Sequence, residues 1–375
     1  MESSCARGQA MLASRGARRH GEGVTRRQFL RGSLAVAAAS CLESASAAPA
    51  RTRVVAGRPI RVGLLGAAHS HARAKWEILQ RSPGFECVGI SEDDDAVRRL
   101  FATPGTRFLD ARTLVERTDA VLVESDVADH ARHAFLALRA GRHVHVEKPP
   151  SHRRGDVERM VGLARRQGLV FQTGYMWRHH PGLRFIFDAV REGWLGHVHL
   201  VRATIGNSLD TPRRREWGRF AGGGLFELGS HHIDAVVRLL GEPSRVTSFL
   251  RRDGGLGDRL QDNNVAVLEY PRAIALVCSS NLDPHSGAHR EFHVEGNLGS
   301  ATLRPMEPPT LDLLLSKAAG PWPAGKSAVP LPRYERYEAD LAEFEGCIRG
   351  ERQAGVSHED EVRVQNTLLR ACKAA

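Results

Sequence analysis

Between residues 60 and 173, short apolar runs alternate with amphipathic stretches at a pitch that few folds accommodate. The runs at 60–66, 85–90, 119–124, 143–147 and 169–173 read as strands. Helical patterns fall between them, through Trp76, Ile78 and Leu79 and then over 94–101, 127–140 and 154–167. Such alternation predicts an α/β architecture, a Rossmann-like, doubly wound parallel sheet with helices on both faces. A sheet of that kind binds ligands beyond the carboxyl ends of its strands. After about residue 178 the rhythm changes. Helical stretches at 180–192 and 223–240 lie among strand-like runs at 197–206, 244–250, 264–270, 273–280, 290–295 and 300–304. Short connections between those runs predict a C-terminal α+β domain on a largely antiparallel, open-faced sheet. The Pro-, Gly- and Ala-rich stretch 316–332 reads as a loop, and helices at 334–349 and 358–374 close the chain. The expected divisions are a first domain at 58–175, a second at 176–332 and C-terminal helices at 333–375.

The first 47 residues have another character. Four arginines precede Thr25, and Arg26-Arg27-Gln28-Phe29-Leu30 follows, then a mildly apolar run to Cys41 and the small-residue motif Ala45-Ser46-Ala47. This order reads as a cleaved twin-arginine signal peptide, addressed to the Tat export machinery, with a mature start near Ala48. Export to the periplasm is the expectation, and a lipid anchor on Cys41 is the weaker option. The apolar run falls short of the roughly 20 residues a bilayer span needs, so no stable membrane span is expected. The formal charge of +10 is partly leader, which holds seven arginines against three glutamates before residue 50. The rest is dispersed without interleaved aromatics, which argues against nucleic-acid binding. Cys87, Cys278, Cys347 and Cys372 are scattered with no CxxC spacing, so neither a disulfide framework nor a zinc ribbon is implied. Only five lysines stand against 48 arginines, which gives weight to any lysine in a suggestive place.

Gly66-Ala67-Ala68-His69-Ser70-His71 occupies the position where a dinucleotide fold carries GxGxxG. Gly66 keeps the tight turn. Ala68 is a mild change where backbone approaches the pyrophosphate, and His71 is a marked one where helix and strand pack closely. Glu92, closing the second strand, is placed to hold ribose hydroxyls and to repel a 2′-phosphate. That favours NAD, with NADP kept open by Arg98 and Arg99 nearby.

Two further segments carry chemistry. On the helix 223–240, Glu227, His231 and Asp234 fall at i, i+4 and i+7 on one face, away from Phe226, Ile233, Val237 and Leu240. Carboxylate, imidazole and carboxylate in that order suit a histidine that passes protons, with Glu227 orienting His231. Lys148 follows an apolar strand and precedes Pro149-Pro150, where a parallel sheet presents side chains to its ligand. A partly buried lysine can surrender a proton, which arginine does not readily do. The pairs His69/His71, His143/His145, His179/His180 and His231/His232 suggest a metal, but carboxylate or cysteine ligands at fixed spacing are missing. No metal is expected, with His231 and Asp234 the ligands if one exists.

The chain resembles the Gfo/Idh/MocA oxidoreductases. Glu147-Lys148-Pro149 matches their Glu-Lys-Pro strand end, and Ser125 and His130 match their TPxxxH segment, although Asp126 replaces its proline. Gly174-Tyr175-Met176-Trp177-Arg178-His179-His180-Pro181 is similar to GYxxRxxP, and 222–234 is similar to GGGxLxDxGxHxxD, with Glu227 for the usual Asp. The resemblance implies that Gly66 to His71, Glu92, Ser125, His130, Glu147 and Lys148 hold the nicotinamide dinucleotide. It implies that Lys148 touches nicotinamide and a substrate hydroxyl, and that His231 is acid and base. Tyr175, Trp177, Arg178 and Asp234 are the expected substrate contacts. The implied activity is NAD(P)-dependent oxidation of a sugar, cyclitol or polyol at a CH–OH carbon by a homo-oligomer, a dimer or tetramer. A glycosidase- or lyase-type cycle with no net redox change, and a cofactor-free sugar-binding relative, are the alternatives.

Overall fold

The computed structural model describes residues 53–374. The expected signal peptide, its cleavage motif and Cys41 lie outside the described residues. Strands β1 (Ile60–Leu65), β2 (Phe85–Ser91), β3 (Ala120–Val123), β4 (His143–Val146) and β5 (Phe171–Thr173) pair in parallel in the order β2-β1-β3-β4-β5. The order reverses direction between β1 and β3, which opens the switch-point crevice where such sheets take ligands. Every residue of β3 and β4 is buried, because helices cover both faces. On one face Ile60, Val62 and Leu64 pack against Ala72, Trp76 and Leu79 of α1 (Ala72–Arg81). On the other, Leu65, Val121 and Val123 join residues of three further helices. The connections supply α2 (Asp95–Phe101), α3 (Ala111–Arg117), α4 (His130–Arg139) and α5 (Asp156–Gln167).

Gly66 makes the turn out of β1 at φ +74°, and a Cβ there would come within 2.3 Å of the Ser125 Cβ. The role of a first fingerprint glycine is thus met by close contact between the β1 and β3 tips.

The second half builds an eight-stranded sheet. After α6 (Pro181–Arg191) come β6 (Val198–Gly206), α7 (Thr211–Trp217), α8 (Ser230–Leu240), β7 (Arg245–Arg251), β8 (Asn263–Tyr270) and β9 (Ala273–Ser280). There follow α9 (Ser286–His289), β10 (Glu291–Gly296), β11 (Gly299–Leu303), β12 (Leu311–Leu315) and β13 (Gly325–Val329). The order is β13-β12-β11-β10-β6-β9-β8-β7, antiparallel except for the β6–β9 pair. Val201, Ala203, Ile205, Ala266, Leu268, Ala275 and Val277 turn one face inward onto Ile186, Ile233 and Val237. The alternate residues, Phe249, Ile274 and Leu314 among them, are exposed on the other face. The open-faced sheet expected from the sequence is therefore present.

Two local expectations need correction. The stretch 316–332 is not all loop: Gly325–Val329 pairs with β12 as an edge strand, where one unpaired side tolerates its glycine and serine. The helix at 223–240 begins with a π-helical turn, Leu225–Gly229, and only then becomes α8. The C-terminal helices join both cores. Leu341, Phe344 and Ile348 of α10 (Glu338–Ile348) complete the β1 face of the nucleotide sheet, while α11 (His358–Ala371) packs its Leu368 and Leu369 into the other core.

Candidate active site

The loop between β1 and α1 alternates in exposure. Ala67 and His69 are buried, Ala68 and Ser70 are exposed, and His71 is intermediate. The outward residues are the small ones, which leaves backbone accessible at the crevice. At the tip of β2 the Glu92 carboxylate accepts hydrogen bonds from the Ala67 (2.8 Å), Asp93 (2.9 Å) and Asp94 (2.9 Å) amides. The buried Ser125 Oγ at the end of β3 has no hydrogen-bond partner among the described residues. His130 faces two carbonyls, Pro149 O from Nδ1 (2.8 Å) and Ser125 O from Nε2 (3.0 Å), and so fastens the β3 exit to the Glu-Lys-Pro turn. A slim loop, a held carboxylate at the second strand and an orphaned hydroxyl at the third fit a dinucleotide lying across the crevice.

Lys148 emerges from β4 into the interior. Its Nζ donates to Glu227 Oε1 (2.7 Å) and to the Glu227 carbonyl (3.0 Å). Both side chains are buried. Burial alone would push the Glu227 carboxyl up, but the Lys148 ammonium and His69, 3.7 Å away, hold it down at about 2. Glu227 lies within the π-helical turn and bonds Lys148, and no hydrogen bond joins it to His231 among the described residues. The expected orientation of His231 by Glu227 is therefore corrected.

His231 is packed between aromatic rings, 4.8 Å from Trp177 and 5.7 Å from Tyr175, and its Nδ1 has no partner among the described residues. Burial and the nearby Lys148 charge push its pKa well below the ordinary histidine range. A neutral imidazole beside an ammonium can take a proton from a hydroxyl held by that ammonium. Trp177 and Tyr175 pack around His231. Arg178 and Asp234 do not. Arg178 donates to Asp234 Oδ1 (3.1 and 2.8 Å) and to Glu361 Oε1 (2.6 Å) and Oε2 (2.9 Å), all buried. Their charges are consumed in tying α8 to α11, which corrects their expected role as substrate contacts.

The side chains missed in the sequence are Lys75 and Glu124. Lys75, wholly buried on α1, bridges Glu124 (2.8 Å) and Glu147. Burial would lower its pKa, yet the two carboxylates hold it raised, and Glu147 is held well below its usual range. Glu147 also accepts from the Lys148 amide (3.0 Å), so Lys75 fixes the backbone that carries Lys148. The rarity of lysine was the one signal that could have found it. Beyond this group His145 Nε2 pairs with Asp340 Oδ2 at 2.8 Å, which binds α10 to β4.

Residues 60–175 match the NAD-binding Rossmann-fold domain of the oxidoreductase family, and residues 184–302 match the GFO/IDH/MocA C-terminal domain. A dTDP-3,4-didehydro-2,6-dideoxy-alpha-D-glucose 3-reductase of Streptomyces violaceoruber is 34% identical over 309 residues, covering 78% of this chain and 86% of its own length. The chain belongs to the Gfo/Idh/MocA family. As a family member it is an NAD(P)-dependent oxidoreductase with a nicotinamide-binding Rossmann domain. The 1,5-anhydro-D-fructose reductase of Ensifer adhaerens is 27% identical over 84% of this chain and 96% of its own length. In fold the chain is similar to UDP-N-acetylglucosamine 3-dehydrogenase GnnA from Acidithiobacillus ferrooxidans (TM-score 0.72, 18% identity, 85% and 98% covered). It is likewise similar to GenD2 from gentamicin A biosynthesis in complex with NAD (TM-score 0.71, 23% identity, 88% and 97% covered). The relatives are named as reductases and dehydrogenases, which favours neither the redox-neutral cycle nor the cofactor-free relative. Residues 23–42 match a twin-arginine translocation signal sequence, and no helix among the described residues is long and apolar enough to cross a membrane.

Proposed function

We propose that this chain is an exported oxidoreductase that interconverts a carbinol and a carbonyl on a sugar, cyclitol or related polyol, with a tightly held NAD. The observation that carries this reading is the Lys148–Glu227 pair at the exit of β4, set beside a neutral, aromatic-walled His231. When bound, the nicotinamide supplies the hydride acceptor or donor. Oxidation also removes a proton from oxygen, and His231 is the side chain placed to hold it. Lys148, aimed by Glu227, binds the substrate oxygen and stabilises negative charge as it develops there. Trp177 offers a flat face to a sugar ring. Support for a sugar substrate comes from the two sugar reductases among the relatives. Glu92 at the β2 tip supports NAD over NADP, because a 2′-phosphate would meet a fixed carboxylate. The exposed apolar residues of the large sheet support a homo-oligomer.

An exported enzyme lacks a cytoplasmic pool of dinucleotide, so a cofactor loaded before export and retained is part of the reading. Heat-denatured, as-purified protein is expected to release about one dinucleotide per chain, NAD or NADH by mass spectrometry. Release of NADP(H) would overturn the choice of cofactor. Protein free of nucleotide and unable to bind it would overturn the reading.

A further inference from the structure

We propose that His69, His71 and Glu147 form a binding site for one divalent transition-metal ion on the inner side of the β1–α1 loop. Their donor atoms lie within 4.8 Å of one another. His71 Nδ1 is 3.1 Å from Glu147 Oε1, and the two imidazoles meet edge to face with centroids 4.6 Å apart. Two histidines and one carboxylate with a remaining open position is a donor set that zinc, iron(II) and manganese(II) all accept. The sequence shows the His-x-His pair but not its carboxylate, which arrives from β4, 76 positions after His71.

His71 Nδ1 and Glu147 Oε1 already converge, and Glu227, whose Oε1 lies 3.7 Å from His69 Nε2, carries a buried Oε2 with no hydrogen-bond partner among the described residues. The charged groups facing the site are Lys75 on the other oxygen of Glu147 and Lys148 on Glu227. Lys75 weakens Glu147 as a donor, so the ion is expected to exchange and to yield to chelators. Coordination through His69 Nε2 moves the ring proton to Nδ1 and gives up the long 3.3 Å contact from the His71 amide.

The test uses full-length, signal-processed protein, treated with chelator and titrated with Co(II) and then Zn(II). About one Co(II) per chain, with the strong visible bands of a low-symmetry site, displaced by Zn(II), is the expected result. His71→Ala, at a partly exposed position, should weaken Co(II) binding at least about tenfold. Its circular dichroism should match the parent, and Zn(II) should raise the melting temperature of the parent only. No stoichiometric Co(II) binding would overturn the proposal. So would undiminished binding in His71→Ala, or a loss produced instead by His179→Ala, which would place the ion beside Asp340 and Glu343. Dinucleotide content is read separately, so failure here leaves the oxidoreductase reading standing.

Discussion

Replacing His231 with alanine should slow carbinol oxidation by about 10²–10⁴-fold, the usual contribution of a positioned acid and base. The fold should survive, because the ring makes no hydrogen bond through Nδ1 among the described residues and packs against Trp177 and Tyr175. The loss should fall on kcat and kcat/KM together, since the proton moves only as the transition state is reached. The parent enzyme's pH profile supplies the matching signature. A base held well below the ordinary histidine pKa stays neutral as pH falls past ~6.5, so kcat/KM for oxidation should remain level there and decline only at lower pH. A parent profile with its acid limb at the ordinary histidine value would contradict the electrostatic reading of the site. Retention of full activity in His231→Ala would contradict the assignment itself.

The second large effect is on stability. Lys75→Met removes the cation from between two buried carboxylates, and a buried pair broken on one side costs about 3–5 kcal/mol. Against a typical ~5–15 kcal/mol of total stability, that is a large fraction. The sign of the pH dependence follows from the same group. Glu147 is held below its unfolded pKa, so its contribution is present above roughly pH 4.3 and fades as pH falls toward its folded value. In Lys75→Met that contribution is absent. The difference in unfolding free energy between variant and parent should therefore be greatest at neutral pH and shrink on acidification, as read by denaturant titration. The double variant Lys75→Met, Glu124→Leu should recover part of the loss, because one of the two stranded carboxylates is gone. Equal stability of Lys75→Met and parent at neutral pH would contradict the role given to Lys75.

Much of this site is legible in one dimension. Alternating strands and helices predict the parallel sheet, and the sheet predicts that Gly66, Glu92, Ser125 and Lys148 gather at the ends of β1, β2, β3 and β4. They do so because each residue's place follows from its own strand. What is not legible is any pairing that depends on a partner far away or on a local change of helical pitch. Lys75 finds Glu124 and Glu147 across 49 and 72 positions, and Arg178 finds Glu361 across 183. Nothing in their immediate neighbours signals either meeting. The face shared by Glu227, His231 and Asp234 is drawn for an uninterrupted α-helix. The segment instead opens with a π-helical turn at Leu225–Gly229, and Glu227 pairs with Lys148 from β4 while Asp234 pairs with Arg178, partners its own helix does not reveal. The edge strand Gly325–Val329 is hidden for a related reason, since its ladder to Leu311–Leu315 outweighs a composition that resembles loop.

The central claim is that Lys148, Glu227 and His231 support hydride transfer at a sugar carbon, and single-turnover isotope transfer tests it most directly. Protein loaded with 4-deuterated NADH is mixed with a keto-sugar or 1,5-anhydro-ketose substrate, and the product is analysed by mass spectrometry. The account predicts one deuterium at the new carbinol carbon in the parent, and transfer slowed by about 10²–10⁴-fold in His231→Ala. Parent protein that binds the reduced dinucleotide but passes no deuterium to any such substrate would contradict it.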